Sequence, residues 1–80
     1  MVHIDEELDV DYDGDGGFHT YHVVGEGSTE EDFYKDAGVF EINQDGGEGR
    51  GYPLSKASNA VIDAALKLFN KALKEEKEPV

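Results

Sequence analysis

The sequence predicts an α+β domain in which a small antiparallel sheet packs against a C-terminal amphipathic helix. Three observations carry that expectation: a period-two alternation from Val2 to Asp13, a 3.6-residue period after Ser55, and clusters of Gly and Asp between the periodic runs. The element order read from them is ββαβ(β)α, with a fourth strand optional. Residues 1–80 read as one acidic domain with 76–80 as a frayed tail, since no linker divides the chain and no segment repeats.

In the first segment Val2, Ile4, Leu8, Val10 and Tyr12 share one parity, and Asp5, Glu7, Asp9, Asp11 and Asp13 share the other. Such alternation specifies a strand with one buried and one wet face. Glu6 alone breaks the apolar parity, and Asp is a poor strand former, so pattern and propensity disagree here. The Asp13–Gly17 cluster supplies residues that tolerate positive φ. The β-rich run from Phe18 to Val24 then returns as the second arm of a hairpin.

Ser28-Thr29-Glu30-Glu31 has the S-x-x-E spacing of a capping box, with acids at the positive end of the helix dipole. A helix of about two turns through Phe33 and Tyr34 is expected to stop at Gly38 in the left-handed conformation. Val39 to Asn43 reads as a third strand with Phe40 and Ile42 on its core face. The glycine-rich run Asp45 to Gly51 reads as a loop, with room for a short edge strand that Pro53 limits.

From Ser55 onward a helix of about five turns is expected. Ile62, Leu66, Phe69 and Leu73 form its apolar stripe, widened by Val61, Ala65, Leu68 and Ala72, and are predicted to bury against Ile4, Leu8, Val10, Phe40 and Ile42. Asn59, Asp63, Lys67, Asn70, Lys71 and Lys74 occupy the other side.

Composition narrows the function. The chain has 80 residues, no Cys, and a formal net charge of −12. Its 19 Val, Leu, Ile and Phe residues allow only a thin core. Without Cys there is no disulfide framework, thiolate zinc site or thiol nucleophile. No apolar run is long enough to span a membrane, and the acidic start is unlike a signal peptide, so a cytoplasmic protein is expected. The charge is concentrated: residues 1–52 hold 15 acids against Lys35 and Arg50, and residues 53–80 hold four acids against five lysines. A concentrated field steers a basic partner, whereas nucleic acid and anionic membranes are repelled. Adaptation to high salt is a poorer account, because six of the seven basic residues are Lys.

The row Asp5, Glu7, Asp9, Asp11, Asp13, continued by Asp15 in the turn, is the candidate partner-binding feature. Outward carboxylates on a strand lie about 6.7 Å apart. A single strand of B-DNA offers a phosphate every ~3.4 Å of axis, a charge density of similar order. A Lys/Arg groove made for nucleic acid could accept such a ladder. The competing account is an ordinary solvated face on an edge strand, where charge resists aggregation.

The second candidate is calcium. Asp11-Tyr12-Asp13-Gly14-Asp15-Gly16-Gly17-Phe18 fits D-x-D-x-D-G-x-apolar, with Asp11, Asp13 and Asp15 as oxygen donors. The frame from Asp9 fits as well, but position twelve is His22 or Thr20 where a bidentate Glu is needed, and both flanks read as strands. His19 and His22 have H-x-x-H spacing yet point to opposite faces of a strand. The run Gly46 to Gly51 lacks the Gly-Lys-Ser/Thr ending of a phosphate loop. Ser28, Ser55 and Ser58 read as helix-cap or first-turn residues, and nothing marks a nucleophile.

The expectation is therefore a non-enzymatic binding protein without a cofactor, monomeric or homodimeric. It would mimic nucleic-acid phosphates and inhibit a basic nucleic-acid-binding protein. In size, acidity and lack of catalytic motifs the chain resembles phage-encoded inhibitors of host restriction or CRISPR systems, a likeness of composition alone. A divalent-cation module and a generic protein-interaction domain are the other two readings.

Overall fold

A computed structural model describes residues 1–11, 17–43 and 47–77. The order is β1 (Val2–Asp11), β2 (Phe18–Gly27), α1 (Glu30–Asp36), β3 (Gly38–Ile42), β4 (Glu48–Pro53), a 3-10 turn (Leu54–Lys56) and α2 (Asn59–Lys77). The strands form one antiparallel sheet in sequence order, β1-β2-β3-β4, so β1 and β4 are its edges. Both helices pack on the same side: α2 against β1 and α1 against β2, touching each other as well. The α+β architecture is thus the one the periodicities predict.

Alternation in β1 does what it promised. Val2, Ile4 and Val10 are buried on the helix side, Leu8 is partly buried, and Asp5, Glu7, Asp9 and Asp11 are exposed. Ten unbroken pairs, from Val2↔Gly27 to Asp11↔Phe18, fix the register with β2. Glu6 keeps the apolar parity but stays exposed at the sheet edge, bordering a shallow depression with Lys71 and Glu75 of α2. The expected turn at Asp13–Gly17 lies mostly outside the described residues.

Behind the sheet, Val23, Val39, Leu54, Val61, Ala65, Phe33 and Phe69 are almost wholly excluded from water. Phe33 of α1 and Phe69 of α2 stack with centroids 4.7 Å apart, which joins the two helices over the core. Gly27 allows α1 to come this close: a Cβ there would stand 2.6 Å from the Phe33 backbone nitrogen.

Several expectations are corrected. Phe40 and Ile42 do not face the helices; the inward residue of β3 is Val39, paired with Val23 on one side and Tyr52 on the other. Both faces of β3 are apolar, so parity alone did not choose between them. The Phe40 ring instead lies over Gly51 on the outer face, where a Cβ would come within 2.5 Å of it. In α2 the fully buried row is Val61, Ala65 and Phe69, while Ile62, Leu66 and Leu73 flank it half-buried. Ala65 is fully excluded from water between Val61 and Phe69, so the innermost line of the helix runs beside the stripe that the larger side chains suggested.

Termini shift too. The cap of α1 is Thr29, whose Oγ1 accepts from Asp32 N at 3.2 Å, because β2 runs on to Gly27 and leaves Ser28 exposed. The helix ends at Ala37 in an extended conformation, and Gly38 opens β3 without a left-handed turn. Strand β4 begins at Glu48, inside the glycine run expected to be a loop. The 3-10 turn delays α2 to Asn59, and Ser58 serves as its cap, with Val61 N donating to Ser58 Oγ at 3.4 Å. Helix α2 reaches Lys77, and Met1 N lies 3.2 Å from Glu76 Oε1 within the segment expected to fray.

Candidate acidic face

Among the described residues no helix covers the second side of the sheet. Cross-strand partners share a face, so the register assembles this surface directly: Asp5 beside Val24, Glu7 beside His22, Asp9 beside Thr20 and Asp11 beside Phe18, with Phe40 of β3 next to His22. Four carboxylates follow one another along the edge strand, and all four are exposed. Phe18, 66% exposed, stands at the end of the row.

The row is not bare. His22 Nε2 lies 2.5 Å from Asp5 Oδ1, and the half-buried imidazole also packs against the Phe40 ring. Thr20 Oγ1 donates to Asp9 Oδ1 at 2.6 Å. At the start of the strand His3 Nδ1 stands 3.7 Å from Glu26 Oε2. Two of the four carboxylates are therefore oriented by the neighbouring strand, which limits the side-chain freedom lost on binding. The lysines Lys67, Lys71 and Lys74 are exposed on α2, across the sheet from this face.

Of the other predicted site residues, Asp13 and Asp15 lie outside the described residues, so the calcium ligand set is represented only by Asp11 at the end of β1. Among the described residues no three His, Asp or Glu side chains are grouped to hold a metal ion. His19 and His22 do separate to opposite faces, His22 on the acidic face and His19 on the helix side. None of the helices, over the described residues, is long and apolar enough to cross a membrane.

A second feature had no signal in the sequence. On the helix side a cleft of about 470 Å³ opens between His19, Tyr21, Glu41 and Tyr52 of three strands and Lys56 and Ser58 ahead of α2. Its residues are scattered over 40 positions and share no motif; only the strand register and the turn before α2 bring them together.

No protein family, curated protein or solved structure matches this chain. Its function has to be argued from these two features.

Proposed function

We propose that the protein is a non-enzymatic acidic binding protein that occupies the basic groove of a nucleic-acid-binding protein in place of phosphates, and thereby inhibits it. The supporting observation is that Asp5, Glu7, Asp9 and Asp11 form an unbroken exposed row on the side of the sheet away from the two helices. Spacing of about 6.7 Å along the strand gives Lys and Arg side chains a regular series of partners. Phe18 and Phe40 flank the row with rings, and basic grooves for single strands already carry aromatic platforms that stack on bases. An unmodified solvated edge would resist aggregation equally well with charges of mixed sign. A single sign concentrated on one face adds a steering field.

The test uses the triple substitution Glu7→Gln, Asp9→Asn and Asp11→Asn, which preserves size and keeps a side-chain oxygen at position 9 to accept from Thr20. A partner is first captured from lysate at low salt, eluted with rising salt, and challenged with single-stranded DNA and RNA. Mimicry requires that nucleic acid compete and that the folded triple variant lose affinity while its melting temperature holds or rises. Unchanged affinity in that variant, or a complex indifferent to DNA and RNA, overturns the proposal.

A further inference from the structure

We infer that the cleft on the helix side binds a small zwitterion, an α-amino acid with a large apolar side chain. It lies on the other side of the sheet from the acidic face and is independent of the function proposed for that face. The cleft exists because the helices stop short: α2 lies on β1, and α1 packs where Gly27 admits it, at the far end of β2. At the opposite end of β2, with β3 and β4 beside it, the described residues that line the cleft opposite the sheet are those of the turn through Lys56 and Ser58. Its volume of about 470 Å³ falls within the size range of small-molecule sites.

The groups inside are arranged by sign. Tyr21 pairs with Glu41, and Tyr52 pairs with Val39 two residues before it, so Tyr21, Glu41 and Tyr52 all line the sheet side of the cleft. A carboxylate that shares a cleft wall with aromatic rings suits an ammonium group, through a charge-assisted hydrogen bond and ring quadrupoles. Lys56 lines the cleft from the turn before α2, as does Ser58, which caps that 19-residue helix. An ammonium next to a helix N-terminus suits a carboxylate.

Among the described lining residues the formal charges of Glu41 and Lys56 cancel, so an ion of either sign would satisfy one and oppose the other. The formal net charge of −12 further disfavours an anion. A neutral molecule with separated charges meets both groups, and the partly exposed Tyr52 and Ala57 leave apolar surface for its side chain.

Chemical-shift titration of the isotope-labelled protein tests this with four probes: L-phenylalanine, phenethylamine, 3-phenylpropionate and adenosine monophosphate. L-phenylalanine should shift the amides of Tyr21, Glu41, Tyr52 and Lys56 saturably, and each probe lacking one charge should bind about tenfold more weakly. Glu41→Gln should weaken L-phenylalanine and phenethylamine but spare phenylpropionate, and Lys56→Gln should weaken L-phenylalanine and phenylpropionate but spare phenethylamine. Both residues are exposed, and the spectra themselves verify that each variant is folded. The inference fails if L-phenylalanine gives no saturable shift up to about 10 mM. It fails equally if the shifts map elsewhere, if both variants match the parent, or if the nucleotide binds more tightly.

Discussion

The two sides of the sheet are built from alternate residues of the same strands, yet they have opposite character. On the helix side Val2, Ile4, Val10, Tyr21, Val23 and Val39 are buried, and none of the described charged residues is buried anywhere. On the other side Asp5, Glu7, Asp9 and Asp11 stand exposed, while Thr20, His22 and Phe40 between them are only partly covered. Burial follows from where two helices happen to rest, and like charge can accumulate where nothing must pack. The helix side carries exposed charges of both signs, Lys67, Lys71 and Lys74 beside Asp63, Glu75 and Glu76 on α2, whereas the row on β1 carries one sign only.

The sharpest way to break this comparison is at the helix-side core. Phe69→Ala removes a fully buried ring stacked on Phe33 and should cost about 3–5 kcal/mol, enough to unfold a domain this small. Urea unfolding would measure it; a near-parental midpoint would mean that α2 is not docked on this core.

Neighbouring residues in β3 isolate the two faces directly. Val39→Ala, on the covered side, should cost about 2 kcal/mol, whereas Phe40→Ala, losing the larger side chain from the open side, should cost only about 1 kcal/mol. The reverse order in denaturant titrations would show that β3 faces the way its larger side chains suggested.

The cap of α1 gives a third, smaller effect. Thr29→Ala should lower stability by about 1 kcal/mol, and Ser28→Ala should leave the unfolding midpoint where it is.

Smallest is the electrostatic effect. The Glu7→Gln, Asp9→Asn, Asp11→Asn variant should gain a few tenths of a kcal/mol at low ionic strength, a gain that vanishes in about 1 M salt as the repulsion is screened. Melting temperatures of parent and variant across a salt series test it. Lys67→Gln with Lys71→Gln on the other surface should show the opposite sign, since removing positive charge raises the net repulsion.

Legibility differed from element to element for physical reasons. Strand β1 was readable because its apolar and charged residues segregate perfectly apart from Glu6, and a one-residue slip would bury the acids. Strand β3 was not, because Val39, Phe40 and Ile42 make either face acceptable. Likewise α2 carries two adjacent apolar rows, Val61-Ala65-Phe69 and Ile62-Leu66-Leu73, and rotation between them changes burial without changing amphipathicity. At α1 both Ser28 and Thr29 have an acid three residues on, so the end of β2 rather than the motif selected the cap.

By itself the sequence determined the α+β class, the antiparallel start, the long terminal helix, and the exposure of Asp5, Glu7, Asp9 and Asp11. All of these follow from periodicity, which the backbone geometry of strand and helix converts into faces with no knowledge of neighbours. Only the tertiary structure decided which side of β3 is dry, which row of α2 is innermost, that His22 and Thr20 orient two of the carboxylates, and that Tyr21, Glu41, Tyr52 and Lys56 enclose a cleft. Those outcomes depend on register and on how closely two helices approach one sheet, and contacts between residues distant in the chain leave no period in the sequence to read.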